Sequence, residues 1–271
     1  MSVAKMGKAS GKMQSAEGAL GQQKPGDAVK EQKEAVDALE DAKGELQHAM
    51  NELKKDLEEQ VRSHVIAALT EMLKEQQAVR TSTEQLGPEA GKGNTRALFG
   101  IKRLAKAEDR ITENARSTAA LVEETEFSVA LPAILGSIER RTIYISTDLK
   151  SGNGDEQVVS SEKKVEKDLA DLLEAMEDAA GRAGESSSDS CSSCGGESNR
   201  NRILSELKIL RLLQVRVNEE TMDVDGRRAR LKEKMSPELQ KTIGSVREHQ
   251  DDVMKATLKL HDISCKNCAG H

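Results

Sequence analysis

The chain has 271 residues, a formal charge of −6 and 32% charged residues, but only 1% aromatics: no Trp, one Tyr (Tyr144) and two Phe (Phe99 and Phe127). Aromatic rings supply much of the area that a compact core buries, so this composition argues against an ordinary globular enzyme and for long helices that each bury a narrow stripe. Charges of both signs are interspersed and few rings could stack on bases, which argues against nucleic-acid binding; no run reaches the ~20 apolar residues of a membrane span.

Residues 1–26 are expected to be flexible or a short helix. Their opening, "MSVAKMGKASGKMQSAEGALG", has no apolar core of the kind a secretory signal carries. The expected compartment is the cytoplasm, with the periplasm or envelope as the alternative if the N-terminus is truncated. Pro25 and Gly26 break what precedes them, and Asp27 is the candidate N-cap of the next helix. From there Val29, Val36, Leu39, Leu46, Met50, Leu53 and Leu57 recur in steps of seven, three and four, an a/d heptad stripe. Val61, Val65, Leu69, Met72, Val79 and Leu86 continue it with a drifting phase, as a period near 3.6 requires. The pattern predicts about 60 helical residues before a turn at "LGPEAGKGN" (86–94), forming either one rod or two helices with a bend.

Two shorter helices are predicted next, at about 95–127 (Leu98, Ile101, Leu104, Ile111, Leu121) and 130–150 (Leu131, Ile134, Leu135, Ile138, Ile145, Leu149). Pro132 suits the first turn of the second, where a missing N–H costs nothing. "TIYIS" (142–146) has β-propensity but no partner strand, and it reads as helix. After the loop "KSGNGDEQ" comes a helix at about 155–181, striped by Val158, Val165, Leu169, Leu172, Leu173 and Met176. Residues 27–183 thus form a long helical bundle or coiled-coil region. Residues 184–199 carry almost no apolar side chains and are expected to be a flexible Ser/Gly/Cys linker. Residues 200–262 read as a helical hairpin with a break at Ser236-Pro237, Ser236 capping and Pro237 at the first helical position. A Cys/His tail, 263–271, follows. The fold class expected is all-α: elongated antiparallel helices with coiled-coil character and a C-terminal helical hairpin.

"QQAVRTST" (76–83) and "QVRVNEET" (214–221) share Gln76/Gln214, Val79/Val217 and Thr83/Thr221. An old duplication and a chance use of common helical residues both explain the echo. The succession "AEGALGQQKPGDAVKEQKEAVDALEDAKGEL", "LTEMLKEQQAVRTST", "VVSSEKKVEKDLADLLEAM" and "ELKILRLLQVRVNEET" resembles a group of helical, coiled-coil-like proteins of planctomycete bacteria. The resemblance spans about residues 13–235. It implies an all-helical, envelope-associated protein and carries over no catalytic residue.

Four cysteines stand in two C-x-x-C pairs, Cys191/Cys194 and Cys265/Cys268. Two-residue spacing lets both sulfurs of a pair reach one ion at ~2.3 Å, and two pairs make a four-thiolate zinc set. An antiparallel hairpin over 200–262 would bring both pairs to one end, with His261 and His271 as further donors. Zinc is the cofactor this set would take. A disulfide clasp and unligated thiols are the alternatives. A thioredoxin-type dithiol lacks its βαβ context, and covalent haem lacks the His that must follow the second Cys, where Gly195 and Ala269 stand. His48, His64 and His249 are expected on polar helix surfaces, and acidic pairs such as Glu58-Glu59 and Asp251-Asp252 on solvated faces. Neither a nucleophile elbow nor a metalloprotease His pair occurs. The expectation is a non-enzymatic scaffold that binds partner helices, its own or another protein's, with no nucleic acid and no membrane span; the alternative is a zinc-binding clamp or regulatory module.

Overall fold

The computed structural model describes residues 2–184, 196–231 and 236–268. Every regular element among them is an α-helix: α1 (Ser2–Gly21), α2 (Pro25–Gly91), α3 (Thr95–Glu124), α4 (Leu131–Ser151), α5 (Glu156–Gly184), α6 (Gly196–Leu231) and α7 (Pro237–Cys268). The all-α expectation holds, and "TIYIS" lies inside α4.

The boundaries follow local chemistry. Asn94 caps α3, its side chain accepting from the Arg96 and Ala97 amides at 3.0 and 3.3 Å. Asp155 accepts from the Gln157 and Val158 amides, both at 3.0 Å, at the start of α5. Ser236 caps α7 by accepting from the Leu239 amide at 3.1 Å, and Pro237 opens that helix as expected. Gly152 ends α4 in the left-handed region at φ 91°, a conformation glycine enters without steric cost. Asp27, expected to cap α2, instead lies inside its first turn, because that helix already begins at Pro25. The turn expected from residue 86 is confined to 92–94: α2 runs on through Pro88 to Gly91, and Gly93 turns the chain at φ 81°. Gly87 is needed for a different reason. A Cβ there would stand 2.0 Å from the Gly154 carbonyl oxygen in the α4–α5 loop, so only a residue without a side chain permits this backbone approach.

The chain divides into two compact units, Met1–Gln60 and Val61–His271. In the first, α1 and the N-terminal half of α2 form an antiparallel hairpin. Lys5 pairs with Glu45 at 2.9 Å, and Lys12 with Glu34 at 2.6 Å and Glu31 at 3.0 Å. The buried apolar residues of this unit are all alanines: Ala9, Ala16, Ala28, Ala35, Ala38 and Ala42. Small side chains let two helices approach closely, but each removes little apolar area from water.

In the second unit, α2 from Val61 onward, α3, α4 and α5 run up and down around a core that includes Leu69, Met72, Ile101, Ile111, Leu135, Ile138, Ile145 and Leu169, all at most 2% exposed. Polar pairs give the order. Gln76 meets Glu108 across α2 and α3, and Thr112 meets Thr142 across α3 and α4. Arg141 meets Asp168 across α4 and α5, and Arg80 meets Glu166 to close α5 back onto α2. Helices α6 and α7 add an antiparallel pair, joined by Gln214 and Gln250 at 3.1 Å, on the side of the bundle formed by α4 and α5. Glu206 of α6 is 4% exposed and accepts from the Val129 and Ala130 amides at 3.2 and 2.9 Å. It thereby satisfies donors at the α4 N-terminus that the helix itself leaves unpaired.

Candidate interaction surface

In the N-terminal hairpin the heptad residues of α2 stay outside the contact with α1. Val29, Val36, Leu39, Leu46, Met50, Leu53 and Leu57 do not form the seam with α1; they are 40–69% exposed, as are Met6, Met13 and Leu20 of α1. The alanines take the seam instead. Two separate seven-residue registers run along α2. Ala28, Ala35 and Ala42 face α1, Leu39 and Leu46 lie four residues past Ala35 and Ala42, and Leu53 continues their seven-residue period. A second exposed track, Val29, Val36, Met50 and Leu57, keeps the same period, with Lys43 at its middle position. On α1, Met6 and Met13 sit three residues before Ala9 and Ala16. At about 100° per residue, the exposed tracks are rotated from the alanine seam in the same sense on both helices, by roughly 60° on α1 and 40–100° on α2. In an antiparallel pair, equal senses of rotation bring both tracks to one side. The hairpin therefore presents one two-helix apolar face.

The second unit holds a different feature, a set of charged and polar side chains inside its core. Gln76, Glu108, Thr83 and Glu162 are each 0% exposed. The Gln76 amide donates to Glu108 Oε1 at 2.9 Å, and the Thr83 hydroxyl lies 2.8 Å from Glu162 Oε1. The remaining oxygens Glu108 Oε2, Glu162 Oε2 and Gln76 Oε1 have no hydrogen-bond partner. Burial pushes the Glu108 carboxyl up to about 8, against the Gln76 hydrogen bond and helped by the charges of Glu162, Glu75 and Asp109. Burial likewise pushes Glu162 up to about 7, against the Thr83 hydrogen bond and the Arg80 charge. Two of the unpaired oxygens, Glu108 Oε2 and Gln76 Oε1, belong to one pair. A carboxylic acid facing an amide can use one proton to satisfy both, and the raised Glu108 pKa supplies that proton at neutral pH.

A second network links α4, α5, α6 and α7. Asp168, 1% exposed, accepts from Arg141 Nη1 at 2.6 Å and is also paired with Arg216. Arg141 Nη2 reaches Glu220 at 2.6 Å, and Glu220 lies 2.7 Å from His249 Nδ1. Desolvation lowers the Arg141 and Arg216 guanidinium pKa values from their usual range. Burial works to raise Glu220, but the His249 hydrogen bond and the charges of His249, Arg141 and Lys164 outweigh it and hold that carboxyl low. Buried ion pairs of this kind fix which helix faces meet more surely than they add stability.

His249 thus differs from expectation: it is part of a buried network, with only 14% of its side chain exposed. His48 and His64 are exposed, as expected. Asp251 and Asp252 do not both sit free on a solvated face, since Asp252 pairs with Arg140 at 2.9 Å and Asp251 with Lys255 at 2.6 Å. The echoed octapeptides occupy matching settings. Gln76 and Gln214 each bond to the following helix, and Val79 and Val217 are buried. Thr83 and Thr221 approach the carbonyl four residues back at 3.0 and 2.6 Å.

Cys191, Cys194 and His271 lie outside the described residues. Cys265 and Cys268 fall in the last turn of α7, six residues beyond the helix end expected at 262, and their side chains also lie outside what is described. No group of three His, Cys, Asp or Glu arranged to hold a metal ion occurs among the described residues, and no described helix is long and apolar enough to cross a membrane. No family model, no curated protein and no solved structure matches the chain.

Proposed function

We propose that the chain is a non-enzymatic scaffolding protein that binds helical partners through its N-terminal hairpin. The observation that supports this is the inverted packing of the hairpin: alanines inside, and heptad-spaced Leu, Met and Val outside. A contiguous apolar face of this size is uncommon on a protein that works alone. Its strict seven-residue period suits another helix, giving coiled-coil character only once a partner is seated. Hydrogen–deuterium exchange on the full chain tests the reading. Amides of residues 2–60 are expected to exchange faster than those of 61–176 while the face is bare, and to gain protection when it is covered.

A second reading, a zinc clamp made by Cys191, Cys194, Cys265 and Cys268, is favoured by one observation. Gln214 pairs with Gln250 in the antiparallel α6–α7 pair, so the residue 18 positions before the first, Gly196, is level with the residue 18 positions after the second, Cys268. The start of α6, two residues past Cys194, and the end of α7 therefore share one end of the helix pair. Metal analysis of the purified chain is expected to return one zinc per chain, released by chelator. A metal-free chain with four titratable thiols removes this reading and leaves the scaffold untouched.

A further inference from the structure

The apolar face of the hairpin has an occupant that the chain itself can supply. We infer that two copies of this protein pair through it, hairpin on hairpin, so that α1 and the N-terminal half of α2 from each copy complete a four-helix assembly. The inference rests on the scaffolding reading above and names the partner.

Size is the first argument. Ten side chains on the face (three on α1 and seven on α2) are 40–69% exposed. Burying such partly exposed Leu, Met and Val side chains removes roughly 80 Å² each, or about 1,600 Å² over two copies, the area of a standard specific interface. Period is the second. Each exposed track repeats every seven residues, so its partner must be a helix that follows the same supercoil over several heptads. The hairpin presents exposed apolar side chains on both of its helices, three along α1 and seven along α2, the α2 tracks running on past the residues that face α1. One copy laid on another covers both helices of both faces at once, whereas a single foreign helix would cover one groove.

Charge is the third. The acidic residues of α2 that face α1, Glu31, Glu34 and Glu45, are already paired with Lys12 and Lys5, and Lys43 is the one charged residue within the exposed α2 tracks. Two copies therefore meet through tracks that are apolar apart from one Lys43 in each, whose long side chain can carry its ammonium out to the rim of the contact. Stability is the fourth. The hairpin's own seam is alanine throughout, and an isolated pair of helices held by so little buried area is marginal. Pairing gives its larger side chains the burial that the fold of one copy denies them.

The test is light scattering coupled to size exclusion on the full chain, from low to high micromolar concentration. The expected mass is twice the 29.5 kDa of one chain, falling toward one chain on dilution. Leu39→Glu with Leu46→Glu, and separately Met13→Glu on α1, should give monomers with unchanged helicity, because these side chains are exposed in the single copy. Met222→Glu, on an exposed position of α6 (71%), should remain dimeric. A dimer indifferent to the hairpin variants overturns the inference. So does a wild-type monomer at every concentration. If that monomer leaves residues 2–60 unprotected in hydrogen exchange, self-pairing alone fails and a foreign helix becomes the partner; if those residues are already protected, the scaffolding reading fails with it.

Discussion

Replacing Asp168 by Ala is expected to lower the melting temperature by about 10 °C. The carboxylate is 1% exposed and lies between two guanidinium groups, Arg141 and Arg216. Its removal takes the most buried carboxylate from both guanidinium groups, leaving Arg141 with Glu220 at 2.6 Å and Arg216 with only the longer, more exposed contacts to Asp171 at 3.5 Å and Glu219 at 3.6 Å. Breaking a buried pair by removing one partner costs about 3–5 kcal/mol, because the uncompensated charge remains. For a unit of roughly 200 residues, 1 kcal/mol corresponds to about 2–4 °C. Calorimetry checks the shift. The restoring experiment is the double change Asp168→Leu with Arg216→Met, which removes one charge of each sign, keeps apolar volume and leaves the Arg141–Glu220 pair intact, and it is expected to recover part of the loss. A single Asp168→Ala variant as stable as the parent would mean that water reaches this network.

The second large effect is a pH dependence that runs against the usual acid sensitivity of salt-bridged proteins. Glu108 titrates near 8 when folded, against 4.5 for its ordinary value, and Glu162 near 7. Between those limits the folded chain holds protons that the unfolded chain has lost, so stability falls as pH rises. The contribution is fully present below about 4.5, declines through the neutral range and is lost once pH passes about 8. For Glu108 alone it is on the order of 3–5 kcal/mol between the two limits. The groups around these acids are Gln76, Glu75, Asp109, Thr83, Arg80 and Glu84; of these, Arg80 is the charge that opposes proton uptake by Glu162. Urea unfolding from pH 5 to pH 8.5 is therefore expected to show a decline of several kcal/mol. Glu108→Gln should keep its partner, since an amide facing the Gln76 amide makes the same pair of hydrogen bonds, and should remove the larger share of the decline. A variant that keeps the full slope, or that is destabilised by more than ~2 kcal/mol at pH 5, contradicts a protonated Glu108.

Much of the fold was legible in the sequence because helices announce themselves locally. The Ser236-Pro237 break, Pro132 in the first turn of α4 and the assignment of "TIYIS" to helix all rest on short-range chemistry that tertiary contacts did not override. The buried polar core was also written in the sequence, in a form easily passed over. Glu108 stands four residues past Leu104 and three before Ile111, and Glu162 stands four past Val158 and three before Val165. Each is a charged residue in a position that the helical period assigns to the core, and that misplacement is the signal. Asp168 and Arg216 sit beside Leu169 and Val217 and carry the same signal more weakly. His249 could not be found in this way, because its partner, Glu220, is on another helix 29 residues away.

The hairpin shows where periodicity stops short. Large heptad residues outrank alanines in any hydrophobic pattern, so the stripe Val29–Leu57 reads as the seam. The choice of seam depends on how closely α1 can approach, and alanines permit the shorter distance. The pattern therefore picked out the larger apolar stripe and passed over the alanines that make the contact with α1. Nor could the sequence tell that the α7 helix runs on to Cys268: "KATLKLHDISCKNC" holds no breaker, but helix ends without a Gly or Pro signal are poorly marked.

Hydrogen exchange measured over a dilution series tests most directly whether the outer face of the hairpin is a binding surface. With the partner absent or dissociated, amides of residues 2–60 should exchange orders of magnitude faster than those of the core helices around Ile111 and Ile138. As concentration rises they should become protected, while residues 61–176 stay unchanged. Equal and concentration-independent protection of both regions would contradict the account, because it would mean that the alanine seam alone holds the hairpin and that its apolar face has no need of a partner.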